Sequence, residues 1–209
     1  METSKYLNDI KDIKNMMANS SQFLSLSGFS GILAGVYALI GGFYVDTLIE
    51  RRPRKVILLE SHTFKIIILV AALVLVFSVA TAYYLTHRKA KKNNQKIWTS
   101  TSKKMLLNFC IPLFTGGIFS VLLLKNGYYG LIAPITLIFY GLACVQASKY
   151  TLRDVMYLGI CNIILGLMAT EFFGYGLYFW MLGFGVMHII YGGIMYWKYD
   201  RSPTNEIRN

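Results

Sequence analysis

"FKIIILVAALVLVFSVATAYYL", Phe64 to Leu85, holds 22 residues and one charge, Lys65, at its second position. As a helix it would be about 33 Å long, enough to cross roughly 30 Å of hydrocarbon. Lipid offers the backbone no hydrogen-bond partners, so an isolated apolar run satisfies its own amides only as a helix. The segment therefore reads as membrane-spanning. Working outward, Phe23 to Val45 precedes it, and Met105 to Leu124, Tyr128 to Ala147, Val155 to Phe173 and Gly176 to Trp197 follow, all of comparable length and polarity. The expected fold is all-α: a polytopic membrane protein with six transmembrane helices.

Composition agrees, since 55% of the 209 residues are apolar and only 15% are charged, outside the usual soluble range on both counts. Residues 1–22 form a polar N-terminal segment, 23–197 the six-helix domain and 198–209 a C-terminal tail. In the first segment Leu7, Ile10, Ile13 and Met17 recur at helical spacing, which suits either an amphipathic surface helix or a polar tail. No short apolar core with a small-residue cleavage site opens the chain, so the first run is expected to stay as a signal anchor. "KNGYYG" joins runs 3 and 4, and "FFGYG" joins runs 5 and 6. Gly-rich turns with interfacial Tyr predict two antiparallel hairpins.

Charge sets the expected orientation. Six of the 21 Lys and Arg (Arg51, Arg52, Arg54, Lys55, Lys65 and Lys125) fall on one side of the six spans, and the other fifteen fall on the opposite side. The loop "HRKAKKNNQKIWTSTSKK", with Arg88, Lys89, Lys91, Lys92 and Lys96, decides the count by the positive-inside bias. Both termini are then cytoplasmic. The stretch "IERRPRKVILLESH" becomes an outer loop whose basic residues Arg51, Arg52, Arg54 and Lys55 are offset by Asp46, Glu50 and Glu60. The formal charge of +11 is thereby assigned to anionic lipid at the cytoplasmic face and not to nucleic acid.

Polar residues inside a span are expensive and call for partners. Run 5 contains "GICNIILG" and run 6 contains "GVMHIIYG", so Asn162 sits between Gly159 and Gly166 at the spacing that places His188 between Gly185 and Gly192. Antiparallel register pairs 159 with 192, 162 with 188 and 166 with 185. The expectation is a close glycine contact carrying an Asn162 to His188 hydrogen bond near the bilayer midplane. That pair is either a structural clamp or a site for a small molecule, ion or proton, because the ordinary His pKa permits proton exchange. Accessory candidates are Glu171, expected to meet Trp180 or Lys125, and Asn108 with Gln146, expected to bond across runs 3 and 4. Gly28, Gly31, Gly35 and Gly42 line run 1 with Ala38 between them; this seam suits close packing or self-association into a homo-oligomer. Pro112 and Pro134 are candidate kinks.

Sites for known chemistry are sparse. His62, His87 and His188 fall at an outer loop, an inner loop and the midplane, and no metalloprotease, nucleophile-elbow or phosphate-loop motif is present. Neither cofactor nor metal nor enzymatic activity is expected. Cys110, Cys144 and Cys161 read as small buried side chains. "SLSGFSGILAGVYALIGG", "SKYTLRDVMYLGICNIILGL" and "GFGVMHIIYGGIMYWKYDR" resemble stretches of a family of bacterial six-span integral membrane proteins of about this length. The resemblance covers most of the chain and implies the architecture, with no activity or site attached. Three readings are thus open: small-molecule or ion binding, permeation or sensing at the midplane; a non-enzymatic subunit assembling through run 1 and the basic loop; and, last, a lipid-modifying enzyme.

Overall fold

A computed structural model of the chain describes residue 10 and residues 26–50, 62–92 and 97–200. The outer-loop cations Arg51, Arg52, Arg54 and Lys55, the inner-loop Lys96, nearly all of the 1–22 segment and the tail from 201 onward lie outside the described residues. Six helices are long and apolar enough to cross a membrane, and no strand occurs among the described residues. They are α1 (Gly28–Glu50), α2 (His62–Lys92), α3 (Ser100–Lys125), α4 (Tyr129–Tyr150), α5 (Asp154–Glu171) and α6 (Gly176–Asp200). The 3–4 and 5–6 hairpins are both present. Their turns each contain a glycine at positive φ, Gly127 at 82° and Gly174 at 93°, a conformation that L side chains seldom adopt.

Helix ends differ from the hydropathy limits because capping decides them. α1 starts at Gly28, whose N–H donates to Asp200 Oδ2 at 3.0 Å. A carboxylate there satisfies a free amide and faces the positive end of the helix dipole. α3 starts five residues before Met105, where Thr99 and Ser102 form a capping box, each side chain accepting from the other's backbone N–H. α2 runs on through the polar "THRKAKK", with Lys89, Lys91 and Lys92 in its last turn suiting the negative helix end. α4 is α-helical over Ile132–Ala147 with a single 3₁₀ turn at each end. Pro134 therefore falls in its first turn, where a missing N–H costs nothing, and introduces no mid-helix break. Pro112 lies within the uninterrupted α3. α6 is composite, with π-helical runs at Met181–Met187 and Tyr196–Asp200.

Two glycine crossings form the centre. The seam of α1 packs antiparallel on α6: a Cβ at Gly28 would come within 2.7 Å of the Gly192 carbonyl, and one at Gly35 within 2.6 Å of the Gly185 carbonyl. α4 and α5 cross as closely, since a Cβ on Gly141 would stand 2.5 Å from the Gly159 carbonyl and one on Gly159 would stand 2.6 Å from the Gly141 carbonyl. α6 lies between these pairs, with Leu137 of α4 against Gly183. α2 packs outside α1, through Val70 and Val74 against Gly41, and α3 packs outside α4, through Gly116 against Phe139. The exterior is apolar and aromatic, with Phe114, Ile118, Phe173 and Trp197 all more than 60% exposed. Such a surface needs lipid, not water, around it.

Two contacts keep the 5–6 hairpin within one or two residues of the expected pairing, one at its basic end and one near its middle. Lys198 donates to Asp154 at 3.3 Å and the Cys161 thiol meets the Tyr191 hydroxyl at 3.5 Å. The glycine faces do not meet, however: Gly159 and Gly166 face α4, while Gly185 and Gly192 face α1. Helical spacing identifies residues that share a face but not the neighbour that receives it. Here each of the two faces found a partner across a different interface.

Candidate functional site

Asn162, His188 and Tyr140 sit at the middle of α5, α6 and α4, the three helices that converge at the centre of the bundle. His188 Nδ1 lies 2.9 Å from the Gly183 carbonyl oxygen. A carbonyl only accepts, so Nδ1 carries a proton, and Nε2 lies 2.7 Å from the Tyr140 hydroxyl, from which it accepts when Nδ1 alone is protonated. Phe184 stacks on the imidazole with centroids 5.9 Å apart, and Tyr140 packs on Phe184 at 4.9 Å. Both imidazole nitrogens are thus engaged inside an aromatic enclosure.

Asn162 is fully buried. Its Nδ2 donates to the Leu158 carbonyl one turn back at 2.9 Å, while its Oδ1 has no hydrogen-bond partner. A Cβ at Gly183 would come within 2.6 Å of that oxygen, so only glycine leaves it space. Gly183 consequently serves both polar residues, by giving room to Asn162 and a carbonyl to His188. The expected Asn162 to His188 hydrogen bond does not form. The pairing assumes that both side chains point into the α5–α6 contact, whereas the His188 ring engages Tyr140 of α4 and the Gly183 carbonyl of its own helix, and Asn162 turns back on Leu158.

The accessory candidates are dispersed. Asn108 donates to the Lys104 carbonyl of its own helix at 2.8 Å, and Gln146 accepts from Lys149 at 3.2 Å, so neither bonds the other. Each finds its partner within four residues along its own stretch of chain, a backbone carbonyl for Asn108 and a lysine for Gln146. Glu171 is exposed at the end of α5, and Trp180 packs on Phe184 instead of meeting it. Cys144 is buried with Leu152, Val155 and Met195, and Tyr140 packs against that cluster. Among the described residues no three His, Cys, Asp or Glu side chains converge to hold a metal.

A second polar cluster closes the basic end of the bundle. Asp200 pairs with Lys89 while capping Gly28, and Lys89 also donates to the Leu26 carbonyl at 3.0 Å. α1, α2 and α6 are tied together at one point. Arg88, Lys91, Lys92, Lys103, Lys104, Lys149 and Arg153 share this end, where α2 and α4 finish and α3 and α5 begin.

Tyr140, Gly141 and Gly183 were not singled out from the sequence. Tyr140 is one of 15 tyrosines and carries no local mark. Gly141 was findable, because extending the constant-sum pairing to the α4 to α5 connection sets it opposite Gly159. Six apolar spans with lipid-facing exteriors define a multi-pass helical membrane protein. Comparison with family models, curated proteins and solved structures gives no match, so the site is read from its own geometry.

Proposed function

We propose that the chain is a non-enzymatic protein of a bacterial inner membrane that binds, passes or senses a small molecule or ion at the mid-span site of Tyr140, Asn162 and His188. One observation carries this reading: Asn162 presents a fully buried, unpartnered carbonyl oxygen beside a π-helical segment. An orphaned buried acceptor costs about 1–3 kcal/mol, and π segments recur at functional sites. The ligand is therefore a hydrogen-bond donor, such as water, an ammonium or a hydroxyl. Sidedness follows from the basic end, which the positive-inside bias assigns to the cytoplasm together with both termini, with anionic lipid as its partner. The family resemblance points to the same setting.

The subunit reading loses one of its two surfaces, because α6 covers the α1 seam from Gly28 to Gly42; the basic end alone remains for it. To test the site, Asn162→Cys is placed in a Cys110→Ala, Cys144→Ala, Cys161→Ala background and treated in native membranes with a small cationic thiosulfonate. Modification is expected. A thiol that reacts only after denaturation means a dry contact and removes the reading.

A further inference from the structure

The groups around His188, at the midpoint of α6, are hydrogen-bond acceptors and ring faces. Nδ1 meets the Gly183 carbonyl and Nε2 the Tyr140 hydroxyl, and Asn162 holds its unpartnered carbonyl oxygen close against Gly183. The imidazole stacks on Phe184 and packs on the Tyr140 ring at 5.2 Å. One turn further along α4, the Cys144 thiol lies within hydrogen-bonding reach of the Tyr140 hydroxyl. The neighbouring helices bring no charge to this point. α1 meets the His188 backbone at Gly31, and its Tyr37 packs instead on Phe77 of α2. Cys161 of α5 is engaged with Tyr191, and α3 reaches Tyr140 through Phe109. Every Asp, Glu, Lys and Arg of the six helices falls in the first or last five residues of its helix.

We propose that the ion of the mid-span site is the proton, taken up at His188 Nε2 with a reversal of the Tyr140 hydroxyl. In the neutral ring Nε2 accepts from Tyr140. When a proton from the aqueous phase binds there, Nε2 becomes the donor, the Tyr140 oxygen accepts, and its O–H rotates toward the Cys144 sulfur, a weak acceptor. One N–H bond forms, none breaks, and the ring gains one positive charge. Both states keep a partner on each ring nitrogen without moving a helix. A buried charge is costly unless its surroundings replace its hydration. Here the bonds made by an imidazolium are about twice as strong as the neutral ones they replace, and the Phe184 and Tyr140 faces attract a cation most strongly where water is excluded. The inference rests on the mid-span reading and names its ion.

The test uses the full chain in nanodiscs, with nitrogen-15-labelled histidine and with His62→Gln and His87→Gln, so that His188 is the one histidine left of three. By NMR, Nε2 should be unprotonated at about pH 8 and gain its proton in a single step on acidification toward about pH 4, while Nδ1 stays protonated throughout. Tyr140→Phe should weaken proton affinity about tenfold, a midpoint lower by about one pH unit, because the charged state loses its acceptor. Cys144→Ala should shift the midpoint in the same direction and Cys144→Ser should restore it, which a merely structural bond between Tyr140 and His188 would not do. A monodisperse protein whose Nε2 is still unprotonated at about pH 4 overturns the proposal, and so does a Tyr140→Phe midpoint equal to that of its parent. If Tyr140→Phe does not fold, the Cys144 pair decides alone, since it leaves the neutral-state bonds of His188 in place. Labelling of Asn162→Cys fails or succeeds separately: a reactive thiol beside a silent His188 leaves a site for another donor and removes the proton, whereas an unreactive thiol beside a titrating His188 keeps the proton and removes the small molecule.

Discussion

At the level of single residues, Asn162 and Tyr140 separate a clamp from a site. Asn162 makes no hydrogen bond to another helix; its one bond returns to Leu158 in α5. Asn162→Leu, close in shape, should therefore leave the thermal midpoint of the solubilised protein at or above wild type, because a buried orphan acceptor is removed. Tyr140→Phe should do the reverse. It strips His188 Nε2 of its donor inside an aromatic enclosure, at a cost of about 1–3 kcal/mol, read as a lowered midpoint. If Asn162→Leu destabilises as much as Tyr140→Phe, Asn162 is a packing residue and its unpaired oxygen carries no function. Sequence made Asn162 and His188 visible because polarity in a span is conspicuous. Tyr140 stayed hidden, since tyrosine is ordinary in a membrane protein and nothing in the chain marks which one faces inward.

Among the helices, the glycine crossings decide which spans adjoin. The Gly141 and Gly159 contact is backbone against backbone, so neither side can yield by rotating a side chain. Gly141→Ala and Gly159→Ala should each cost about 1–3 kcal/mol, and the double variant should cost less than their sum, because one displacement relieves both. Gly193→Ala is the control: its Cβ would meet nothing within 4 Å, and its melting behaviour should match wild type or rise slightly. Apolar length located all six spans, and turn chemistry gave both hairpins. The interfaces were harder to read. Position sums presuppose that adjacent spans are the closest partners and that every turn holds 3.6 residues, whereas α1 meets α6 from the far end of the chain and the π runs shift the phase of α6.

For the molecule as a whole, the alternation of ends is explicit: the start of α1 and the ends of α2 and α6 meet at Asp200 and Lys89. Cysteine labelling in right-side-out vesicles checks the proposed sidedness. Tyr128→Cys, in the turn between α3 and α4, should react with an impermeant maleimide, and Lys149→Cys should react only after permeabilisation. The opposite pattern inverts the orientation and leaves the fold unchanged. α2, whose most apolar stretch has no residue buried by protein, was the plainest span to recognise and contributes least to the core. Hydropathy reports contact with lipid, so it is loudest where tertiary structure is weakest.

The Asp200 cap on Gly28 also imposes a timetable. The residue that completes the first helix is 172 positions downstream, and the α6 backbone that fills the α1 seam is nearly as distant. At roughly 5–20 residues per second of synthesis, α1 waits on the order of ten seconds or more in the bilayer with its glycine face open and its first amide uncapped. The α3, α4 and α5 group needs nothing from α1 to close its own crossing. Synthesis order thus lets the α4–α5 crossing close while α1, already beside α2, still awaits the helix that fills its seam.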